Sequence, residues 1–167
     1  MSTTNEYRYR HRQISRFGLA LSLVSGLLGI GYIARLPEPL PVWWWVDQPT
    51  ALALAVLFCG LGVLVFGSMT ITVERDRLRW SMGWLGFPQW QRPLGQLSGV
   101  AATRSTWLEG WGIRYTARGW LYNVEGCDAV RVDDARGRSF RLGTNDTAGL
   151  LRALEAAGVK AAPRSQV

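Results

Sequence analysis

The chain has 167 residues and a net charge of +7, from 19 basic and 12 acidic side chains, with one histidine and two cysteines. That length holds one ordinary soluble domain beside any membrane segment. One histidine and two cysteines exclude a zinc centre with four nitrogen or sulfur ligands, and they leave no credible Ser–His or Cys–His nucleophile. The charge is uneven: residues 1–16 carry +3, residues 35–50 carry −1 and residues 70–167 carry +5.

Residues 1–16 read as a basic polar tail in which Tyr7 and Tyr9 alternate with Arg8 and Arg10, a pattern suited to the headgroup level of a bilayer. Two uncharged apolar runs follow, 17–34 and 51–69. Their lengths approach what is needed to cross about 30 Å of hydrocarbon as helices, so 17–69 is expected to be a transmembrane hairpin with a connecting loop at 35–50. Gly18, Ser22 and Gly26 repeat at four-residue spacing, which lets helices approach closely. The expected partner is the second run, with Gly60 and Gly62; a homodimer contact is the alternative. In the loop, Pro37, Pro39, Pro41 and Pro49 exclude helix, and Trp43, Trp44 and Trp45 read as an interfacial anchor. Arginines precede the first run, and Arg75, Arg77 and Arg79 follow the second. Because basic residues near a span stay inside, both termini are expected in the cytoplasm and the spans in the cytoplasmic (inner) membrane. A cleaved signal peptide over 1–34 is disfavoured by the length of the apolar run and by the poor cleavage sequence at Gly31 to Ala34. Cys59 in a span and Cys127 beyond it cannot form a disulfide in this topology.

From residue 70 apolar and polar residues alternate, and turn residues punctuate them. Strands are expected over 70–75, 78–82, 87–91, 97–104, 112–116, 120–124, 129–133 and 139–142. A helix over 146–157 follows, with Thr144 or Asn145 as cap, Asp146 complementing its dipole, an apolar stripe of Leu150, Leu151 and Leu154, and Gly158 as its stop. Residues 159–167 read as a loose tail.

About seven or eight short strands closed by one amphipathic C-terminal helix make a mainly-β domain over 70–158. The segments Thr72-Val73 and Leu78-Arg79-Trp80, then Trp107-x-Glu109-Gly110-Trp111-Gly112-Ile113-Arg114, then Arg141-Leu142-Gly143-Thr144-Asn145-Asp146 carry a resemblance. The chain resembles small bacterial membrane proteins in which two transmembrane helices precede a pleckstrin-homology-like (PH-like) domain. The resemblance implies two antiparallel sheets in a barrel or sandwich, with the helix plugging one corner; a lipocalin-like closed barrel would need more strand residues. In the family's headgroup-binding version a basic residue on the first strand is followed by a basic-x-arginine pair on the second. Arg75, Arg77 and Arg79 fall in that hairpin but are spaced too closely for inositol phosphate specificity.

No pattern here supports catalysis or a cofactor. Gly110-x-Gly112 and Gly60-x-Gly62 lack the strand, helix and glycine spacing of a phosphate cradle. The juxtamembrane arginines point to anionic lipid rather than nucleic acid. Glu109 is expected to form an ion pair, with Arg114 nearest in sequence. The expected function is therefore non-catalytic: a membrane-anchored module that binds a protein partner, another membrane protein, through Trp107, Glu109, Trp111 and Arg114. Arg75, Arg77, Arg79 and Trp84 would lie against the lipid surface, with Leu85 and Phe87 beside Trp84. An anionic-lipid sensor is the second reading. An accessory subunit of a membrane enzyme or transporter is the third, disfavoured because the spans carry no charged residue for a path.

Overall fold

A computed structural model describes residues 8–35, 47–106, 109–110 and 112–162. It contains two long apolar helices, two β-sheets and a C-terminal helix. Helix α1 (Arg16–Ile33) starts at Ser15, whose hydroxyl accepts from the Gly18 amide. Helix α2 (Gln48–Phe66) starts at Asp47, whose carboxylate accepts from the Thr50 amide, with Pro49 in the first turn. Mean hydropathies of 1.5 and 2.3 make both helices long and apolar enough to cross a membrane, and neither buries a residue. They lie side by side. A side chain at Gly26 would meet Cys59 Sγ at 3.5 Å, so Gly26 is where the helices come close; Gly60 and Gly62, expected at that contact, face open space among the described residues.

Strand β1 (Tyr9–Ile14) precedes the helices, and strand β2 (Ser68–Val73) follows them directly. The two pair antiparallel from Tyr9 opposite Val73 to Ile14 opposite Ser68. Residues 9–14 of the expected polar tail thus form an edge strand of the domain, and the two helices lie within the connection of a β-hairpin. Its polar composition hides a strand period: Tyr9, His11 and Gln13 are the more buried positions, and Arg8, Arg10, Arg12 and Ile14 are exposed. The second span correspondingly ends at Phe66, because Ser68 and Met69 are already paired in the sheet.

Strands β3 (Arg77–Met82) and β4 (Gln89–Pro93) complete a four-stranded sheet in the order β1-β2-β3-β4. The second sheet comprises β5 (Leu97–Arg104), β6 (Gly112–Thr116), β7 (Gly119–Asn123), β8 (Asp128–Asp134) and β9 (Ser139–Gly143), in the order β5-β8-β9-β7-β6. The described residues therefore hold nine strands rather than about seven or eight, and one pair, β7 with β9, is parallel rather than antiparallel. The parallel pair arises because β8 crosses to β5 instead of folding back on β7, and β9 fills the space between them. Met69, Ile71, Trp80 and Met82 from one sheet meet Val130, Val132, Phe140 and Leu142 from the other.

Helix α3 (Thr147–Ala156) packs over β5, β8 and β1, burying Leu150 and Leu154. Its cap is Asp146, whose Oδ1 accepts from the Gly149 amide at 2.9 Å. At its other end the Val159 amide reaches Leu154 O, the Gly158 amide reaches Glu155 O, and Gly158 takes a positive φ of 92°. This is a Schellman stop. The chain beyond is not loose as far as residue 162: Val159 is buried, and Lys160 and Ala162 exchange backbone hydrogen bonds with Val100. The sandwich is thus plugged along β1, β5 and β8, while on its other side, between β4 and the pair β6–β7, no helix packs among the described residues.

Candidate functional site

Several backbone bonds tie the domain to the helix ends. The Ser15 amide donates to Gly67 O at 3.0 Å, the Gly83 amide to Ser68 O at 2.7 Å and the Trp84 amide to Leu64 O at 2.9 Å. The last of these reaches back into α2, so the β3–β4 turn sits at the depth of the final helical turn. Gly83 is required there: its φ is +76°, and a Cβ would stand 2.5 Å from the Leu64 carbonyl oxygen. Beside this turn the Arg12 guanidinium lies 4.4 Å from the Trp84 ring centre and donates to Ser68 Oγ. Leu85 and Phe87 project outward, 77% and 71% exposed. Across the rim, Glu125 accepts from the Arg16 amide and Gln13 Nε2 donates to Glu125 O. The rim at the ends of α1 and α2, the membrane-end rim if these helices span a bilayer, thus carries Arg12, Arg16, Trp84, Leu85 and Phe87.

The arginines assigned to lipid from the sequence are placed differently. Arg75 and Arg77 follow the far end of β2, whose six residues separate them from the end of α2; at about 3.3 Å per residue that is roughly 20 Å. Arg77 pairs with Asp76 at 2.7 Å and with Glu74 at 3.5 Å. Arg79 is mid-strand, and its side chain engages Gln89 Oε1 and Glu74. Of the residues proposed to face lipid, only Trp84 is at the helix end. The sequence pattern could not show this, because span and strand run together with a single residue, Gly67, between them.

Glu109 is an ion-pair residue, but its principal partner is Arg141. Arg141 Nη2 and Nη1 donate to its two oxygens at 2.6 and 3.0 Å, the Thr106 amide donates at 2.8 Å, and Arg118 approaches to 3.4 Å. These donors, Arg141 foremost, hold the Glu109 carboxyl down to about 2 from its ordinary 4.5. Arg141 itself is 1% exposed and also donates to Thr116 Oγ1 at 2.7 Å. The pair pins the loop after β5 onto the outer face of the second sheet, and it uses the carboxylate that would otherwise meet a ligand. An arginine flanked by the core residues Phe140 and Leu142 was the available signal for a buried partner. Arg114 lies instead near Gly110 and lines a cleft of about 670 Å³ with Phe17, Leu21, Phe66 and Ile113, where β6 meets the start of α1. Trp107 and Trp111, and the loop residues Trp43, Trp44 and Trp45, lie outside the described residues.

Among the described residues no three His, Cys, Asp or Glu side chains gather as a metal site. His11 Nε2 meets Asn145 Oδ1 at 2.5 Å, which ties β1 to the start of α3. With that geometry in hand, comparison with known protein families and with characterised proteins finds no match to the chain.

Proposed function

We propose that this protein is a non-catalytic interaction module of the cytoplasmic membrane. Its two helices cross the bilayer, both chain ends lie in the cytoplasm, and the PH-like domain at the surface binds another membrane protein or organises an assembly. The observation that carries this reading is the pairing of Ile14 with Ser68. A strand before the first helix and a strand after the second belong to one hairpin, so the helices must leave and return on one side. The basic residues beside the helix ends favour the cytoplasmic side. Confinement at the surface raises the effective concentration of the domain for other membrane proteins. Reporters of cytoplasmic and external location, fused in turn before Met1 and after Val167, test the topology: both ends should report the cytoplasm, and an external signal at either end overturns the reading.

The second reading, contact with anionic lipid, is favoured by the stacking of Arg12 on Trp84 beside exposed Leu85 and Phe87. It moves the lipid surface from Arg75 and Arg77 to the membrane-end rim. Reconstitution of the full chain in vesicles with and without phosphatidylglycerol, probed by accessibility at residue 85, tests it. Protection that rises with anionic lipid and falls with salt supports lipid recognition.

A further inference from the structure

The side of the sandwich that α3 leaves open holds an aromatic cleft of about 430 Å³, within the ~300–1,000 Å³ of ordinary binding pockets. Trp80, Tyr122 and Phe140 form its floor, with the Trp80 and Phe140 rings stacked at 4.9 Å and Tyr122 edge-on to Trp80 at 5.3 Å. Trp120 and Tyr115 stand at its rim, 46% and 74% exposed, against each other at 5.3 Å. Three arginines reach the cleft from separate elements: Arg92 from β4, Arg118 from the β6–β7 turn and Arg138 from the β8–β9 turn. Among the described residues Asp134 is the one carboxylate in the lining. It is held by the Arg136 amide at 2.8 Å and touches Arg138 at 3.5 Å. Arg118 shares Glu109 at 3.4 Å, and Arg92 donates to Gln91 O. Cation charge is in excess around an apolar floor.

We propose that this cleft docks an acidic segment of a partner protein, one that inserts an aromatic side chain between the sheets while its carboxylates meet Arg92, Arg118 and Arg138. The proposal rests on the interaction-module reading and names the chemistry of the partner. Its occupant follows from two features. The cleft opens by the β6–β7 and β8–β9 turns, at the ends of these strands away from α1 and α2, which favours a polypeptide over the bilayer. Exposed tryptophan, tyrosine and arginine around a packed aromatic floor are the residue types that dominate protein-binding hot spots, and arginine pairs with carboxylates through two parallel bonds.

The test uses the full chain in nanodiscs of phosphatidylcholine and a fluorescein-labelled acidic peptide with a central phenylalanine, read by anisotropy. Binding should be saturable, weaken with salt, and fall about tenfold in Trp120→Ala and in Arg92→Glu, both at exposed positions, while Lys160→Ala on the plugged side leaves it unchanged. Lysines in place of the acidic residues should abolish it. Absence of binding, or binding indifferent to both substitutions, overturns the proposal, as does displacement of the peptide by phosphatidylglycerol nanodiscs. A photo-crosslinker at residue 120, compared with one at residue 104 on the plugged side, separates this failure from that of the wider reading. A partner captured at 104 but not at 120 removes the cleft and leaves the module; capture at neither removes both. Capture at 120 counts in favour only when the crosslinked segment carries acidic residues around an aromatic.

Discussion

The guanidinium of Arg141 grips both carboxylate oxygens of Glu109, at 2.6 and 3.0 Å, and does so with only 1% of its own side chain exposed. A buried pair of this kind adds little net stability relative to an apolar pair, but removing one partner strands the other. Glu109→Gln is therefore expected to lower stability by about 3 kcal/mol, measured by thermal or denaturant unfolding of the detergent-solubilised protein. An unchanged midpoint would mean that the loop after β5 is not held by this contact.

The same pair predicts a pH dependence. The folded Glu109 carboxyl sits at about 2, below its ordinary 4.5, so its contribution is fully present above the ordinary value and is lost as pH falls through the folded one. Unfolding midpoints should drop between about pH 4.5 and 2 in the native sequence. Glu109→Gln should flatten the part of that slope due to this group; equal slopes in the two proteins would contradict the assignment.

Strand β1 is held by more than its ladder. Gln13 is 5% exposed, donates to Glu125 O at 2.8 Å and accepts from the Asn145 amide at 3.2 Å. Gln13→Ala removes this partner from the part-buried Glu125 carbonyl and from the Asn145 amide, at a cost of about 1 kcal/mol. Hydrogen exchange should quicken across β1 and β2. For the same reason a fragment beginning at residue 70 lacks an edge strand and part of β2, and should unfold more readily than the full chain.

Asp146 serves two elements at once. Its Oδ1 caps α3 through the Gly149 amide, and its Oδ2 accepts from Tyr9 Oη at 3.0 Å. The amide holds its carboxyl below the usual carboxylate range, and the Tyr9 hydroxyl adds to the effect. Asp146→Ala should cost about 1 kcal/mol for the lost cap, with a further loss from Tyr9. Asp146→Asn, which keeps a capping oxygen, should recover most of it, and a variant as unstable as alanine would argue against capping.

The β3–β4 turn gives a prediction about the bilayer. With Trp84 bonded to Leu64 inside α2, Leu85 and Phe87 stand beside the end of an apolar helix, where the proposed topology would bring them to the bilayer surface. Burying such side chains is worth about 1.5–3 kcal/mol each. A bimane label on Leu85→Cys, in a Cys59→Ala and Cys127→Ala background, should emit at shorter wavelength and be quenched by spin-labelled lipid. A label on Ala135→Cys, in the distal β8–β9 turn, should not. An aqueous spectrum at residue 85 would detach the turn from lipid.

Much of the fold was legible because its signals are local. The apolar runs, the alternation in β5 to β9 and the stop at Gly158 need only nearby residues to be recognised. Strand β1 was not legible, since Tyr9, His11 and Gln13 alternate with arginines and present no apolar face. What buries them is the neighbouring β2, α3 and the β7–β8 turn. The candidate site divides in the same way. Glu109 was recognisable as a charge in need of a partner, but the choice of Arg141 over Arg114 depends on which strands lie side by side.

By itself the sequence determined that two helices are apolar enough for a membrane and that a β domain with one capping helix follows, because hydrophobic period and turn chemistry are properties of short stretches. Only the tertiary structure decided that the helices interrupt a β-hairpin, that Arg75 and Arg77 lie far along the strand from them, and that an aromatic cleft ringed by arginines stays open. Those outcomes depend on pairing between segments distant in the chain, and such pairing is decided by the packing of whole sheets.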